Sequence, residues 1–257
     1  MARSDEISAR RTYDKIAERY HNARANKVLF FNEFLEMPAT LSLLPKLKGK
    51  KVLDIGCGSG IYATKLKQKG ARVCGVDISP RMISIAKQEV SGVDFKVGSV
   101  YKLPYLNKSF DIAVAPLVID YVTDIDRALY EVNRVLRDNG SLIFSLPNPV
   151  TQSTERLHKG RVAETSRVFH DYFKEGMRKQ LWNYDRKSLG RKRVSVSTMH
   201  ITYQTLIQSI LRNGFVIEDY IDVYPISAGK KSDPKAYALT SKVPWFCAFR
   251  VRKTNDR

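Results

Sequence analysis

Residues 52–60 read VLDIGCGSG. A short apolar strand runs into three glycines at alternate positions, Gly56, Gly58 and Gly60, and an acid, Asp54, stands two residues before the first. Such a turn brings backbone N–H groups close to a ligand. The phosphate loop needs four residues between its glycines, then Lys and Ser or Thr, and this stretch lacks them. The dinucleotide fingerprint G-x-G-x-x-G is met at Gly56 and Gly58 but has Ile61 in third place, the glycine coming one residue early. A carboxylate at the strand end would repel a pyrophosphate docking on the following helix N-terminus. Asp54 suits a ligand that carries positive charge and no phosphate.

Outward from this turn the chain alternates. KVLDIG is a predicted strand, followed by a helix through IYATKLKQKG that ends at Gly70. RVCGVD is a strand and SPRMISIAKQEV a helix, with Ser79 as cap and Pro80 at the first helical position. VDFKVG and FDIAVAPLV are strands, DIDRALYEVNRVLRDNG is an amphipathic helix with Gly140 as its stop, and SLIFSLP is a fifth strand. This alternation predicts a parallel sheet covered by helices on both faces. A helix TYQTLIQSILRN stopped by Gly214, then strands FVIEDYIDVYP and WFCAFRVRK, predict a closing hairpin at a sheet edge, its polar loop 226–243 on the surface and mobile. Before the alternation, periodicity predicts helices over 6–22 and roughly 26–44. The organisation expected is an N-terminal helical arm (1–48), a core (49–147 and 201–257) of about seven strands, and an inserted cap (148–200) that is polar, basic and aromatic.

The 257 residues suit one α/β domain with embellishments. No apolar run approaches the ~20 residues of a membrane span, and MARSDEISARRTYDKIAERY is not a signal sequence. A cytoplasmic protein without a membrane role is expected. Three cysteines, Cys57, Cys74 and Cys247, form neither a disulfide framework nor a zinc motif; small buried thiols and no metal site are expected. The net charge of +18 raises the question of nucleic acid. It is spread along the chain: successive fifty-residue blocks carry +4, +4, −1 and +7, and the remainder +4. No block reads as a basic tail.

S-adenosyl-L-methionine has the adenine and ribose of a dinucleotide but a sulfonium amino acid in place of the phosphates, which is what Asp54 suits. The chain resembles the class I S-adenosylmethionine-dependent methyltransferases, of the broad type 11 group that acts mainly on small molecules, strongly over 50–146 and more loosely over 200–251. Asp54, Gly56, Gly58 and Gly60 match the family's D/E-x-G-x-G-x-G motif. The resemblance implies a Rossmann-like fold with a seven-stranded, mostly parallel sheet. It also implies a cofactor that leaves as S-adenosyl-L-homocysteine. Asp77, ending the second strand some twenty residues on, would accept from both ribose hydroxyls. Ile78 and Met82 would pack on the adenine, and Cys57 lies within the glycine turn. GSVYKLPYLNKSFD resembles D-x-x-x-L-P-F-x-x-x-S-F-D, with Ser99 where the family often has the Asp that holds the adenine amino group; Ser99 or the backbone of Val100 would take that contact. Pro116 and Leu117, at the fourth strand's end, would line the methionine end. YDKIAERY matches an arm motif whose tyrosines, Tyr13 and Tyr20, share a helix face and would reach the methionine carboxylate or the substrate.

Methyl transfer from a sulfonium is an in-line displacement dominated by alignment, and a base is needed only when the acceptor must lose a proton. The chain has APLV where exocyclic base methylation uses an N-P-P-Y-like motif, and no cysteine where carbon-5 methylation needs one. Within the cap, Tyr172, Phe173, Glu175, Gly176, Arg178, Trp182, His200 and Thr202 match a pattern found in a subset of the family, with Ile201 replacing an Arg. Tyr121, Tyr172, Arg178, Trp182 and His200 are candidate substrate contacts, and His200 a candidate general base; His158 and His170 also fall in the cap. The expected reaction is methyl transfer to an O or N of a small metabolite, aromatic or acidic, by a monomer or homodimer. The alternatives are an RNA methyltransferase that uses the basic cap and a non-catalytic cofactor-binding protein on the same fold.

Overall fold

A computed structural model describes residues 3–156, 167–182 and 194–254, with the side chains of 155, 156, 167, 168 and 180–182 left aside. The arm begins with α1 (Ser4–Ala25), then a π-helical turn (Asn32–Glu36) leading into α2 (Met37–Ser42). The predicted second helix thus starts near residue 30 and changes winding at its middle. Pro38 explains why. It has no N–H to give to the carbonyl four residues back. That carbonyl, on Phe34, instead accepts the Ile226 N–H at 2.9 Å.

The core follows as β1 (Lys51–Ile55), α3 (Ile61–Gln68), β2 (Arg72–Asp77), α4 (Pro80–Glu89), β3 (Asp94–Val97), β4 (Phe110–Pro116), a 3-10 turn (Ile119–Tyr121), α5 (Ile125–Val135) and β5 (Leu136–Pro147). Ser79 Oγ accepts the Met82 N–H at 3.0 Å, the expected cap of α4. Next come α6 (Pro149–Gln152), β6 (Thr154–Arg156), β7 (Arg167–Phe169), β8 (Gly176–Trp182) and β9 (Val194–His200). The chain closes with α7 (Tyr203–Arg212), β10 (Phe215–Asp222), α8 (Ala228–Ser232), α9 (Pro234–Thr240) and β11 (Phe246–Lys253).

Seven strands form one sheet in the order β10-β11-β5-β4-β1-β2-β3. The first five strands of the chain are parallel, and β11 runs antiparallel between β5 and β10. Side chains alternate across the sheet. Leu53, Ile55, Ala113 and Ala115 join Leu129, Val132, Leu206 and Ile210 on one face. Val52, Ile112 and Val114 join Leu43, Ala63, Leu66 and Ile83 on the other. The chain leaves β1 toward β2 on one side and returns as β4 on the other. Their carboxyl ends flank the switch point, where ligands bind in this architecture. The two small antiparallel pairs, β6–β7 and β8–β9, lie outside this sheet, and β9 packs on α1 and on the 3-10 turn.

Two expectations are corrected. Gly140 does not stop α5, which ends at Val135; it lies in β5, where a Cβ would come within 2.8 Å of the Arg137 carbonyl and 3.1 Å of the Asp111 carbonyl. Close strand approach, not helix termination, requires that glycine. Residues 226–243 are not a free loop. Asp233 Oδ1 accepts the Ala236 N–H at 2.9 Å to start α9, and Gly229 lies against the Phe30 ring and the Phe34 Cβ.

Candidate functional site

At the carboxyl ends of β1, β2 and β4 opens a cavity of about 1270 Å³, closed over by α1, the arm and the segments after β5. The glycine turn forms one wall. Gly56 (φ +64°) has no room for a side chain, since a Cβ would lie 2.4 Å from Val118. Gly58 (φ +51°) meets nothing within 4 Å, so its backbone stands bare at the cavity. Its N–H donates to Asp77 Oδ2 at 2.9 Å, and the Ser79 N–H donates to Asp77 Oδ1 at 2.8 Å. Burial, with Asp14 adding to it, pushes the Asp77 carboxyl up to about 6 against these two hydrogen bonds.

Of the sequence-predicted cofactor residues, the cavity is lined by Tyr13, Tyr20, Gly56, Cys57, Gly58, Asp77, Ile78, Met82, Val100, Pro116 and Leu117. Tyr121, from the substrate set, lines it too. Tyr13 and Tyr121 share a hydrogen bond between their hydroxyls at 2.9 Å. Leu117 holds a left-handed φ of +52° while its N–H donates to Ser145. Asp54 and Gly60 are not in the wall. Gly60 starts α3 under Val90 and Phe95. Asp54 lies fully buried behind the turn, and neither of its oxygens makes a normal hydrogen bond. Burial and the neighbouring Asp77 charge raise its carboxyl well above the usual range.

Other candidates are taken up by the fold. Ser99 is a correction: its hydroxyl accepts the Tyr101 N–H at 3.0 Å and does not line the cavity. His200 is a second. It is fully buried, its Nε2 donates to the Tyr172 carbonyl at 2.8 Å, and its Nδ1 faces the Gln152 side chain at 3.2 Å. Burial lowers its basicity, and the side chain is not among those that line the cavity. Tyr172 is also outside the wall, its hydroxyl accepting the Tyr203 N–H at 3.0 Å. Arg178 reaches the wall, but its guanidinium donates to the carbonyls of Asp171 at 2.8 Å, Lys174 at 3.1 Å and Gln152 at 3.3 Å. The side chain of Trp182 and all of His158 lie outside the described residues.

The structure adds residues that the sequence reading passed over. Arg24 stands one helical turn after Tyr20; its Nε donates to Glu33 at 2.5 Å, its Nη1 to the Tyr20 hydroxyl at 3.2 Å, and its buried Nη2 has no partner. Glu36, placed by the π turn, accepts from Tyr62, Thr40 and Ser145 at 2.6–3.0 Å. Burial raises its carboxyl. Asp120, in the 3-10 turn after β4, is pushed up to about 7, first by burial. A single acid inside an apolar run, as in FLEMP and LVIDYV, is the signal that marks Glu36 and Asp120. Buried carboxylates around one cavity stabilise a cationic guest, and they fit a sulfonium amino acid better than any phosphate.

The comparisons agree with that chemistry. A family model described as a methyltransferase domain matches residues 53–144. An uncharacterized protein of Haemophilus influenzae is 32% identical over 80% of this chain and 82% of its own. An S-adenosylmethionine-dependent methyltransferase from Mesorhizobium loti, known by crystal structure, superposes with a TM-score of 0.70 at 27% identity, over 85% of this chain and 97% of that one. The chain belongs to the class I S-adenosylmethionine-dependent methyltransferases. This methyltransferase is also 32% identical to the demethylmenaquinone methyltransferase of Thermotoga maritima, over 53% of this chain and 60% of that one. It is 32% identical to the malonyl-[acyl-carrier protein] O-methyltransferase of Serratia marcescens over 38% of each chain. It thus spans 60% or less of these two relatives, whose acceptors are their own. Among the described residues of the methyltransferase, no helix is long and apolar enough to cross a membrane.

Proposed function

We propose that the enzyme moves the methyl group of S-adenosylmethionine to an oxygen or nitrogen of a small metabolite that carries an aromatic or acidic group. One observation carries the reading. The cavity, about 1270 Å³, exceeds the ~300–1,000 Å³ of a usual single-ligand site, which leaves room for an acceptor beside the cofactor. Phe31, Trp245 and Phe246 form an apolar wall, the Phe31 and Trp245 rings 5.2 Å apart. Gln152, Thr198 and Lys179 add polar and cationic groups to the lining. A cavity of that make-up supports a small, partly planar acceptor better than an RNA strand.

In this reading Asp77 holds the ribose, and Ile78 and Met82 flank the adenine, with Gly98 and Val100 nearby. Arg24 and Tyr20 hold the methionine carboxylate, and Asp54 and Glu36 favour its positive charges. Thr151, Gln152, Ser153, His170 and Thr198, from the segments after β5, cover the acceptor. The bound cofactor supplies an electrophilic methyl group. The protein's part is to align the acceptor with it and exclude water.

The test is to incubate the purified protein with methyl-labelled S-adenosylmethionine and host extract, fractionated by size with and without ribonuclease. Label in the small-molecule fraction is the expected result. Label in ribonuclease-sensitive material would replace the reading with an RNA acceptor, and cofactor binding without any labelled acceptor would leave a non-catalytic binder.

A further inference from the structure

Asp120 is the acid that interrupts the apolar run from Leu117 to Val122. It follows the carboxyl end of β4 directly, lines the cavity and is 5% exposed. Its Oδ1 is buried and accepts no hydrogen bond. Among the described residues, no cation acts to lower its carboxyl. Tyr121, in the same turn, and Tyr13, from α1, tie their hydroxyls to each other. Glu36, from the π turn, is an acid and acts to raise it. The one titratable side chain of β9 is His200, which donates from Nε2 to the Tyr172 carbonyl and does not line the cavity. A buried carboxyl oxygen without donor or counter-charge costs stability, and no packing role of this turn needs one.

We propose that Asp120 takes the proton from the acceptor's attacking hydroxyl, which makes the enzyme an O-methyltransferase. The hydroxyl oxygen forms the new bond to the methyl carbon. The carbon–sulfur bond breaks with its electron pair staying on sulfur, which leaves S-adenosylhomocysteine, and the hydroxyl proton passes to the Asp120 carboxylate. A neutral amine would attack without such a base; an alcohol or phenol profits from it. Held near 7, the carboxyl is matched to proton removal around neutral pH.

The test compares wild type with Asp120→Asn, counting label in every fraction of the extract. It rests on the small-acceptor reading only for where product is sought, because a transfer into RNA would still be counted. Calorimetry of S-adenosylmethionine and S-adenosylhomocysteine, which needs no acceptor, runs beside it. The expected result is cofactor affinity within about threefold of wild type and transfer down roughly 100-fold or more. The wild-type rise in rate with pH through about 7 disappears in the variant. A second variant, Asp120→Ala, regains part of its transfer when formate is added. Transfer by Asp120→Asn within about threefold of wild type overturns the proposal. So does a roughly tenfold weaker grip on S-adenosylmethionine with S-adenosylhomocysteine unchanged, which would make Asp120 a counter-ion to sulfur. Failure of formate to restore an Asp120→Ala protein that still binds cofactor also overturns it.

Discussion

The N–H of Gly58 donates to Asp77 Oδ2 at 2.9 Å, so the turn after β1 is clamped to the end of β2 by the acid proposed to hold the ribose. In that reading one side chain both shapes the pocket and reads its occupant. Asp77→Asn keeps the shape and loses the charge. Its affinity for S-adenosylmethionine should fall about tenfold, and for S-adenosylhomocysteine equally, because both carry the same ribose. Calorimetry with the two ligands measures it; a loss confined to one of them would remove the ribose role.

The carboxylates predict a pH dependence. Asp77 is held near 6 and Asp120 near 7, with Asp54 and Glu36 also raised. A folded carboxyl raised above its unfolded value binds more protons folded than unfolded, so its stabilising contribution is complete below about pH 4. It is lost as pH climbs through those folded values. The ligand-free protein should therefore lose melting temperature between about pH 5.5 and 8, where these buried groups ionise. A cationic ligand prefers the ionised forms, so its affinity rises over the same window. The increase in melting temperature given by S-adenosylmethionine should be larger at pH 8 than at pH 5.5, and the thermal shift from S-adenosylhomocysteine, which lacks the sulfonium, should change less.

Arg24 and Glu33 form an ion pair whose side chains are only 8% and 7% exposed. Removing one partner of such a pair costs about 3–5 kcal/mol, because the other charge is left buried. Arg24→Met should fall in that range by chemical denaturation. The double variant Arg24→Met, Glu33→Leu should recover much of the stability, since an apolar pair of similar volume replaces the ion pair well. Its cofactor affinity should stay down by about tenfold or more, since the guanidinium proposed for the carboxylate is gone. Recovery of affinity together with stability would show that Arg24 only holds the arm in place.

His200→Asn separates structure from chemistry at the position the sequence marked as a base. Losing the hydrogen bond to Tyr172 and the contact to Gln152 should cost about 1–3 kcal/mol. The rate of labelled transfer, measured on folded protein below its melting point, should stay within about threefold of wild type with an unchanged pH profile. A collapse of the rate at intact stability would return His200 to the reacting centre.

By itself, the sequence determined the repeating part of this protein. Strand and helix alternate with local periods of two and 3.6 residues, so the core could be read without any tertiary contact. The motif VLDIGCGSG and the acid at Asp77 carry local requirements too: a left-handed φ at Gly56, a bare backbone at Gly58, a carboxylate at a strand end. The tertiary structure decided everything that depends on which distant groups meet. His200 looked like a base and Ser99 like a ligand until the assembled fold left both out of the cavity wall. Arg24, Glu36 and Asp120 looked like ordinary charges in helical or apolar stretches. They acquired meaning only when the arm folded over the sheet ends and excluded the water that would otherwise have solvated them. Desolvation is a property of the assembled cavity, and no local pattern in the chain records it.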